Sequence, residues 1–435
     1  MANRYWVGGT ASWDGTAGSK WSLTSGGAGG EAVPTSSDDV FFDAASGAVT
    51  VTVASGNTGC HALSFLSFAG TFAGGASLDV AGDFLIDAAS AAAMTWTKSS
   101  NIVFTTTTTS SVTTNGKTMA TETLAQTGTG TVTFMDAISV AAISQVRGTL
   151  TAMSDVTSVV IYSGFTANAR AVNMGSGTWT ITANVSDSLQ IWNFPAANLT
   201  LNPGTSTIKI TNRGIFTGGG NTYNNIWITG TNTSPVTLQD ANTFNNFRDD
   251  RTVAHTIVFP NSTTTVSSWD VNGSAGNVIT LSRTGASGQW TISDASGTNT
   301  SSYLSISNSI ATGGATWDVS DGTNTDGGGN TGWSFTPPPP PAQTVQQAAR
   351  DANFVTTLLV TNKIDGQAPM RAYVDPSTHS LVVSDASTGT DYSDDIASRD
   401  NNYVPVLMGV SSVDGVTPVA VYGDASTGAV LIDSN

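Results

Sequence analysis

GTWTIT at Gly177–Thr182, GTSTIKIT at Gly204–Thr211, GQWTIS at Gly288–Ser293 and GATWDVS at Gly314–Ser320 are four spellings of one local pattern, with NIWITG at Asn225–Gly230 as a looser copy. Each has a glycine or turn residue, a short polar spacer, Trp or Ile, one polar residue, and then Ile or Val. Apolar residues at every second position are the signature of a strand with one buried face. The leading glycine supplies the turn. No helical stretch separates the copies, and a strand-plus-turn unit cannot bury its apolar face alone, whereas stacked copies share one continuous core. The expected fold is therefore all-β: a right-handed β-solenoid with an N-terminal cap, plus a small antiparallel β module in two copies at the C-terminus. A series of β-sandwich domains is the alternative that the irregular turn lengths leave open.

Outward from these copies, the same strand signal fills residues 44–336. It is clearest at Val49–Val53, Ala62–Phe68, Ser77–Ile86, Asn101–Thr105, Gly130–Phe134, Val156–Tyr162, Leu199–Leu201 and Thr207–Thr211. Gly, Asn, Asp and Ser punctuate the runs. With coils of roughly 20–25 residues stacked about 4.8 Å apart, this segment holds about a dozen coils in a rod on the order of 60 Å long. The composition agrees. Only 11% of the 435 residues are charged, against about 25% in an average domain. Long runs of Thr, Val, Ser and Ala favour pleated structure, because β-branched side chains fit a sheet and crowd a helix. Helical character is confined to a short stretch around Gln343–Asp351.

The two ends differ from the middle. Residues 1–43 concentrate Trp6, Trp13 and Trp21 among glycines, followed by the run Asp38-Asp39-Val40-Phe41-Phe42-Asp43. Aromatics at this density suit a cap, since an uncovered end coil exposes both core and unpaired backbone groups. Stacking on sugars is the other use such a cluster can have. At the far end, five prolines (337–341) open a semi-rigid spacer over 337–348, a domain boundary. Beyond it, Arg350–Ala386 aligns without a gap to Arg399–Asn435. Asp365-Gly366 falls on Asp414-Gly415, Pro369 on Pro418, Tyr373 on Tyr422 and Asp375 on Asp424. The two modules, 349–386 and 387–435, each read as three strands, in the first copy Phe354–Thr361, Pro369–Val374 and Ser380–Ser384. A lone unit of that size is marginal. Pairing within or between chains is the expectation, with a homotrimer as the favoured assembly.

Charge and special residues exclude more than they suggest. Fifteen Lys plus Arg against 31 Asp plus Glu leave a net charge of −16, which repels a polyanion and argues against nucleic acid as a partner. No window reaches the 18 or so apolar residues of a membrane span. The opening MANRYWVGGTASWDG has no apolar core of a secretory signal, which fits a protein that rides on a particle released by lysis or one that uses a non-classical export route. The single cysteine, Cys60, rules out an intramolecular disulfide and reads as a small buried hydrophobe. His61, His255 and His379 lie in separate segments without metal-ligand spacing. Paired acids occur at Asp240 and in Arg248-Asp249-Asp250-Arg251. One carboxyl to protonate a leaving oxygen and another to assist attack is the logic of glycan cleavage. The bracketing arginines lower the proton affinity of such acids and suit an ion-paired loop better. The string Asp318-Val-Ser-Asp321-Gly-Thr-Asn324-Thr-Asp326 spaces oxygen ligands as a calcium loop does, but lacks the closing Glu and reads equally as turns. The expectation is no catalytic, cofactor or metal site and no enzyme.

Several segments resemble tailed-phage virion proteins and related bacterial surface β-helices. The opening YWVGGTASWDG…KWS…VPTSSDDVFFD resembles the start of such chains, and YLSISNSIATGGATWDVSDGTNTDGGGNTGWSF (Tyr303–Phe335) resembles the way their solenoids end. NNYVPVLMGVSSVDGVTPVAVYGD resembles a small β module at the ends of phage structural proteins. The first C-terminal copy departs from that pattern, with Thr356 where Pro405 stands. The resemblance implies a virion location and a non-enzymatic role as head or tail fibre, spike or decoration protein. Its partners would be other virion proteins. A receptor-binding spike that binds or cleaves host surface glycans is the alternative, with the Trp-rich opening or Asp240, Asp249 and Asp250 as its site.

Overall fold

The computed structural model describes residues 1–335 except Ala286 and, beyond them, the backbone of six strands. Two units divide at Pro339/Pro340. The polyproline segment 337–348, the helical expectation around Gln343–Asp351, and His379 lie outside the described residues.

The first unit is a β-solenoid of about 13 turns. Its strands pair in parallel with the strand one coil later, so each side chain sits on the equivalent side chain of the next coil. Past the opening, the step between stacked partners ranges from 16 residues (Trp317 to Trp333) to 31 (Ile161 to Trp192). Most of the extra residues lie in the turns, and among the described strand pairs of this unit the register shifts only at Met119–Thr123 and Gln190–Trp192. This removes the sandwich alternative, whose sheets are built from antiparallel strands.

Four stacked sheets make up the coil wall, the last a short one of Thr298–Thr300, Thr316–Asp318 and Trp333–Ser334. One runs from Asn3–Trp6 through Asp39–Asp43 and seven further strands to Leu199–Asn202. A second is short and spans only the first coils, from Ala11–Trp13 to Thr95–Trp96. The third begins at Leu78–Val80 and continues to Thr325–Asp326. From Val156–Tyr162 onward one long strand is followed by two shorter ones, since Val156–Tyr162 pairs with both Thr178–Ile181 and Gln190–Asn193. The ladder branches for that reason and runs along the axis rather than closing into a barrel.

The recurrent motifs build the core. Trp179 stacks on Ile208, Ile208 on Ile226, Ile226 on Phe247 and Phe247 on Trp269, all inward and buried. Ile181, Ile210 and Ile228 form the neighbouring column. NIWITG departs from the other copies here. Its two isoleucines take the inward positions, so Trp227 falls on the outer face, in register with Lys209. Period two makes this the necessary outcome, because the residue between two inward side chains points out.

The opening residues close the first end. Trp21–Ser22 pairs antiparallel with Asn3–Trp6, at the edge of the first sheet. Trp6, Trp13 and Trp21 are fully buried, with ring centroids 5.0 Å apart for Trp6–Trp21 and 5.2 Å for Trp13–Trp21. They rest on Phe42, which stacks on Phe65 at 5.1 Å. A short α-helix, Ala88–Ala93, was missed by the strand-based reading. Asp87 caps it by accepting from the Ser90 backbone N–H.

Glycine is required where turns of adjacent coils nearly touch. Gly204 has φ of 57°, and a Cβ there would meet the carbonyl of Gly175 at 2.1 Å. Backbone on backbone leaves no side chain that can yield.

In the second unit, Leu358–Thr361, Pro369–Val374 and Leu381–Asp385 form one three-stranded antiparallel sheet. Pro405–Val410, Pro418–Gly423 and Val430–Ile432 form another. The middle strands coincide under the offset of 49 read from the sequence, Pro369 falling on Pro418 and Val374 on Gly423.

Candidate functional site

The acids of the 240–251 region do not converge. Strand Thr243–Asp249 carries Asp249 inward, stacked between Ile228 of the coil before and Val271 of the coil after. Burial among apolar neighbours demands full pairing of its carboxylate. Oδ2 lies 2.7 Å from His255 Nε2, with both side chains fully buried, and Oδ1 accepts the Arg251 backbone N–H at 3.0 Å. His255 Nδ1 lies 2.8 Å from the Val253 carbonyl. Arg251, 3% exposed, donates to the carbonyls of Thr229, Asn232, Ser234 and Asn212. It ties turns of successive coils together. Burial pushes its pKa down, and the nearby Asp249 opposes that shift.

Asp250, the next residue, alternates to the outside. It accepts the Trp227 indole N–H at 2.8 Å and pairs with Arg248 at 2.9 Å. Asp240 occupies a turn at φ of 70° and accepts the Gly219 N–H. One acid is inside, one outside and one at a corner, so no two face each other across a site as glycoside hydrolysis requires.

The oxygen atoms of the Asp318–Asp326 string are likewise turned to separate tasks. Asp318 accepts the Ser320 N–H at 3.0 Å. Asp321 accepts the Thr323 N–H at 3.0 Å and the Asn324 amide at 2.8 Å. Asp326 accepts the Gly328 N–H at 2.9 Å and the Asn330 amide at 2.6 Å. A hydrogen bond from Ser302 is the leading cause of the lowered pKa of Asp321. These are side-chain-capped turns, and among the described residues no group of three or more His, Cys, Asp or Glu side chains is placed to hold a metal ion.

His61 Nδ1 lies 2.7 Å from Asp39 Oδ1, with both side chains partly exposed. Cys60 is fully buried. Desolvation pushes its thiol pKa far above the ordinary value, and Asp39 and Asp79 add to that, so it is an inert core residue. The three buried tryptophans of the opening present no ring face to a sugar.

Two outer features were not foreseen. The first is a ladder through adjacent coils: Lys209, Trp227, Arg248 and Asp270 in register. Lys209 Nζ lies 4.3 Å from the centre of the Trp227 ring and Arg248 lies 5.1 Å from it, a cation–π arrangement. Arg248 is shared between Asp250 and Asp270. The Ile-Trp-Ile spelling was the available signal, because it forces the tryptophan outward. The second is a pair of polar ranks on the outside of the first sheet. Thr109, Thr131, Thr149, Ala171 and Thr200 form one, and Ser111, Thr133, Thr151, Asn173 and Asn202 the other. A shallow groove of about 400 Å³ lies along the first rank at Thr149, Ala171 and Thr200, rimmed by Arg147 and Asn168. Along the ranks the side chains bond to one another, Asn202 to Asn173 and Asn173 to Thr151.

Searches with this chain find no matching family model, no matching curated protein and no matching solved structure.

Proposed function

We propose that this chain is a non-enzymatic structural component of a bacteriophage virion, a fibre, spike or decoration protein. The supporting observation is the way the polar groups are used. The acids singled out by spacing, Asp240, Asp249, Asp250, Asp318, Asp321 and Asp326, are engaged in holding one coil to the next or in capping a turn. Such a coil is a scaffold: stiff along its axis through backbone ladders and uniform on its flanks. The duplicated three-stranded sheets provide small modules that gain from association, and a homotrimer is the assembly proposed for them.

The test is mass spectrometry of gradient-purified particles whose genome encodes the chain. The proposal expects the protein in fixed stoichiometry with the other particle proteins, resistant to high-salt washing. Its absence from particles, with the protein recovered only from the soluble fraction, would sink the idea. Light scattering on the purified protein tests the assembly. A mass three times that of the 44.4 kDa chain is expected, and a stable monomer contradicts it.

A further inference from the structure

Lys98 and Glu122 form the one fully buried Lys–carboxylate pair among the described residues, with Nζ 2.9 Å from Oε1 and both side chains wholly shielded from solvent. They belong to adjacent coils, since strand Ser100–Phe104 pairs in parallel with Thr118–Gln126 and Ser100 falls opposite Glu122. The position follows the last strand of the second sheet, Thr95–Trp96, and lies beside the third sheet, which already runs from Leu78–Val80. The backbone on either side is fixed: the Lys98 N–H donates to the Phe72 carbonyl, and the Thr121 hydroxyl donates to the Lys98 carbonyl. Lys98 Nζ also donates to the Asn101 carbonyl at 3.2 Å. Glu122 Oε2 and the Trp96 indole nitrogen have no hydrogen-bond partner within the protein.

We propose that Lys98 and Glu122 condense to an intramolecular amide that covalently links two coils of the solenoid. The chemistry balances without any co-reactant. A proton passes from the ammonium to the carboxylate, giving a neutral amine and a neutral acid. The Nζ lone pair attacks Cδ, the Nζ–Cδ bond forms, and one Cδ–O bond breaks. The departing oxygen leaves as water with the acid proton and one proton from the amine, and nothing is oxidised or reduced.

The site favours each step. Desolvation depresses the proton affinity of Lys98 and raises that of Glu122, each against the pull of its partner, so burial drives both towards the neutral forms that react. The ions lose hydration without enough hydrogen bonds to replace it, whereas the amide carries no charge. The unpartnered Trp96 indole N–H lies near enough to the Glu122 carboxyl to lower its proton affinity, and it is the group at hand for the oxygen that gains charge during attack. Preorganised contact in a folded core supplies the orientation that free amines and acids lack. In a chain with one cysteine, such a bond does what a disulfide does elsewhere.

Intact-mass spectrometry of the purified full-length protein tests this directly. The expected mass is lower than that of the sequence by one water molecule. Trypsin cannot cut after an acylated lysine, so residues 21–117 should stay uncut and joined to residues 118–147. Lys98→Met, which keeps the chain length and removes the amine, should restore the full sequence mass. A wild-type protein with the full sequence mass, cut normally after Lys98, would overturn the proposal. So would a deficit of one water that persists in Lys98→Met.

Discussion

Asp249 and Asp250 are neighbours in sequence with opposite fates, because the pleat sends successive side chains to opposite faces. Asp249 replaces an aliphatic residue in an inward column and survives there because His255 and the Arg251 backbone N–H satisfy it. Removing this carboxylate leaves two buried groups, the His255 ring nitrogen and the Arg251 N–H, without a partner, at about 2–6 kcal/mol together. Asp249→Ala is therefore expected to lower unfolding stability by about that much, while Asp250→Ala costs below about 1 kcal/mol, as exposed pairs do. Urea denaturation of the two variants checks this, and equal losses would contradict the assignment of inside and outside. The sequence showed both acids and both arginines. It could not show that the strand bends at Asn245–Asn246, which are both exposed. That bend decides which acid is buried. Trp227 faces outward for a related reason: its flanking isoleucines hold the inward positions.

At the scale of elements, strands were legible because period two is a short-range signal that stacking reinforces at every coil. Val156–Tyr162 and Pro369–Val374 were found with their observed bounds, but the run Ser77–Ile86 divides into Leu78–Val80 and Phe84–Ile86, and the strand read from Phe354 is described only over Leu358–Thr361. The helix Ala88–Ala93 was not found, because a run of alanines with one serine has no apolar periodicity. Its readable signal was the capping aspartate. Asp87 accepts the N–H groups of Ser90 and Ser67. Partial burial works against its charge, but these hydrogen bonds outweigh it and hold its carboxyl below the ordinary value. A carboxyl whose folded pKa is depressed contributes stability above its unfolded pKa and loses that contribution as pH falls through the folded one. Asp87→Ala should thus cost about 1 kcal/mol at neutral pH, with the gap to wild type closing as pH drops below the usual carboxylate range. Thermal melts between neutral and strongly acidic pH follow the gap. A constant difference would show that packing rather than charge sets the cost.

At the scale of the molecule, the coil is a one-dimensional stack whose core is built from nearest neighbours. This is why its identity could be read from a few six-residue phrases, and why coil lengths from 16 to 31 residues do not disturb it. The cap was legible for the same reason: a repeat must end, and the aromatic density marked where. The outer surface was not legible, since polar residues between inward ones carry no instruction about what they face. The threonine ranks and the Lys209–Trp227–Arg248 ladder emerge only when coils are laid on one another. The C-terminal duplication was visible as a repeat, and its two three-stranded sheets follow it.

The central claim, that the chain is a rod-forming part of a virion, is tested most directly by electron microscopy of intact particles carrying a gold label on the C-terminus of this protein. Labels at fixed, repeated positions on the particle, each beside a thin projection with a coil repeat of about 4.8 Å along its axis, are the predicted result. Unlabelled particles, with the protein free in solution, would contradict it.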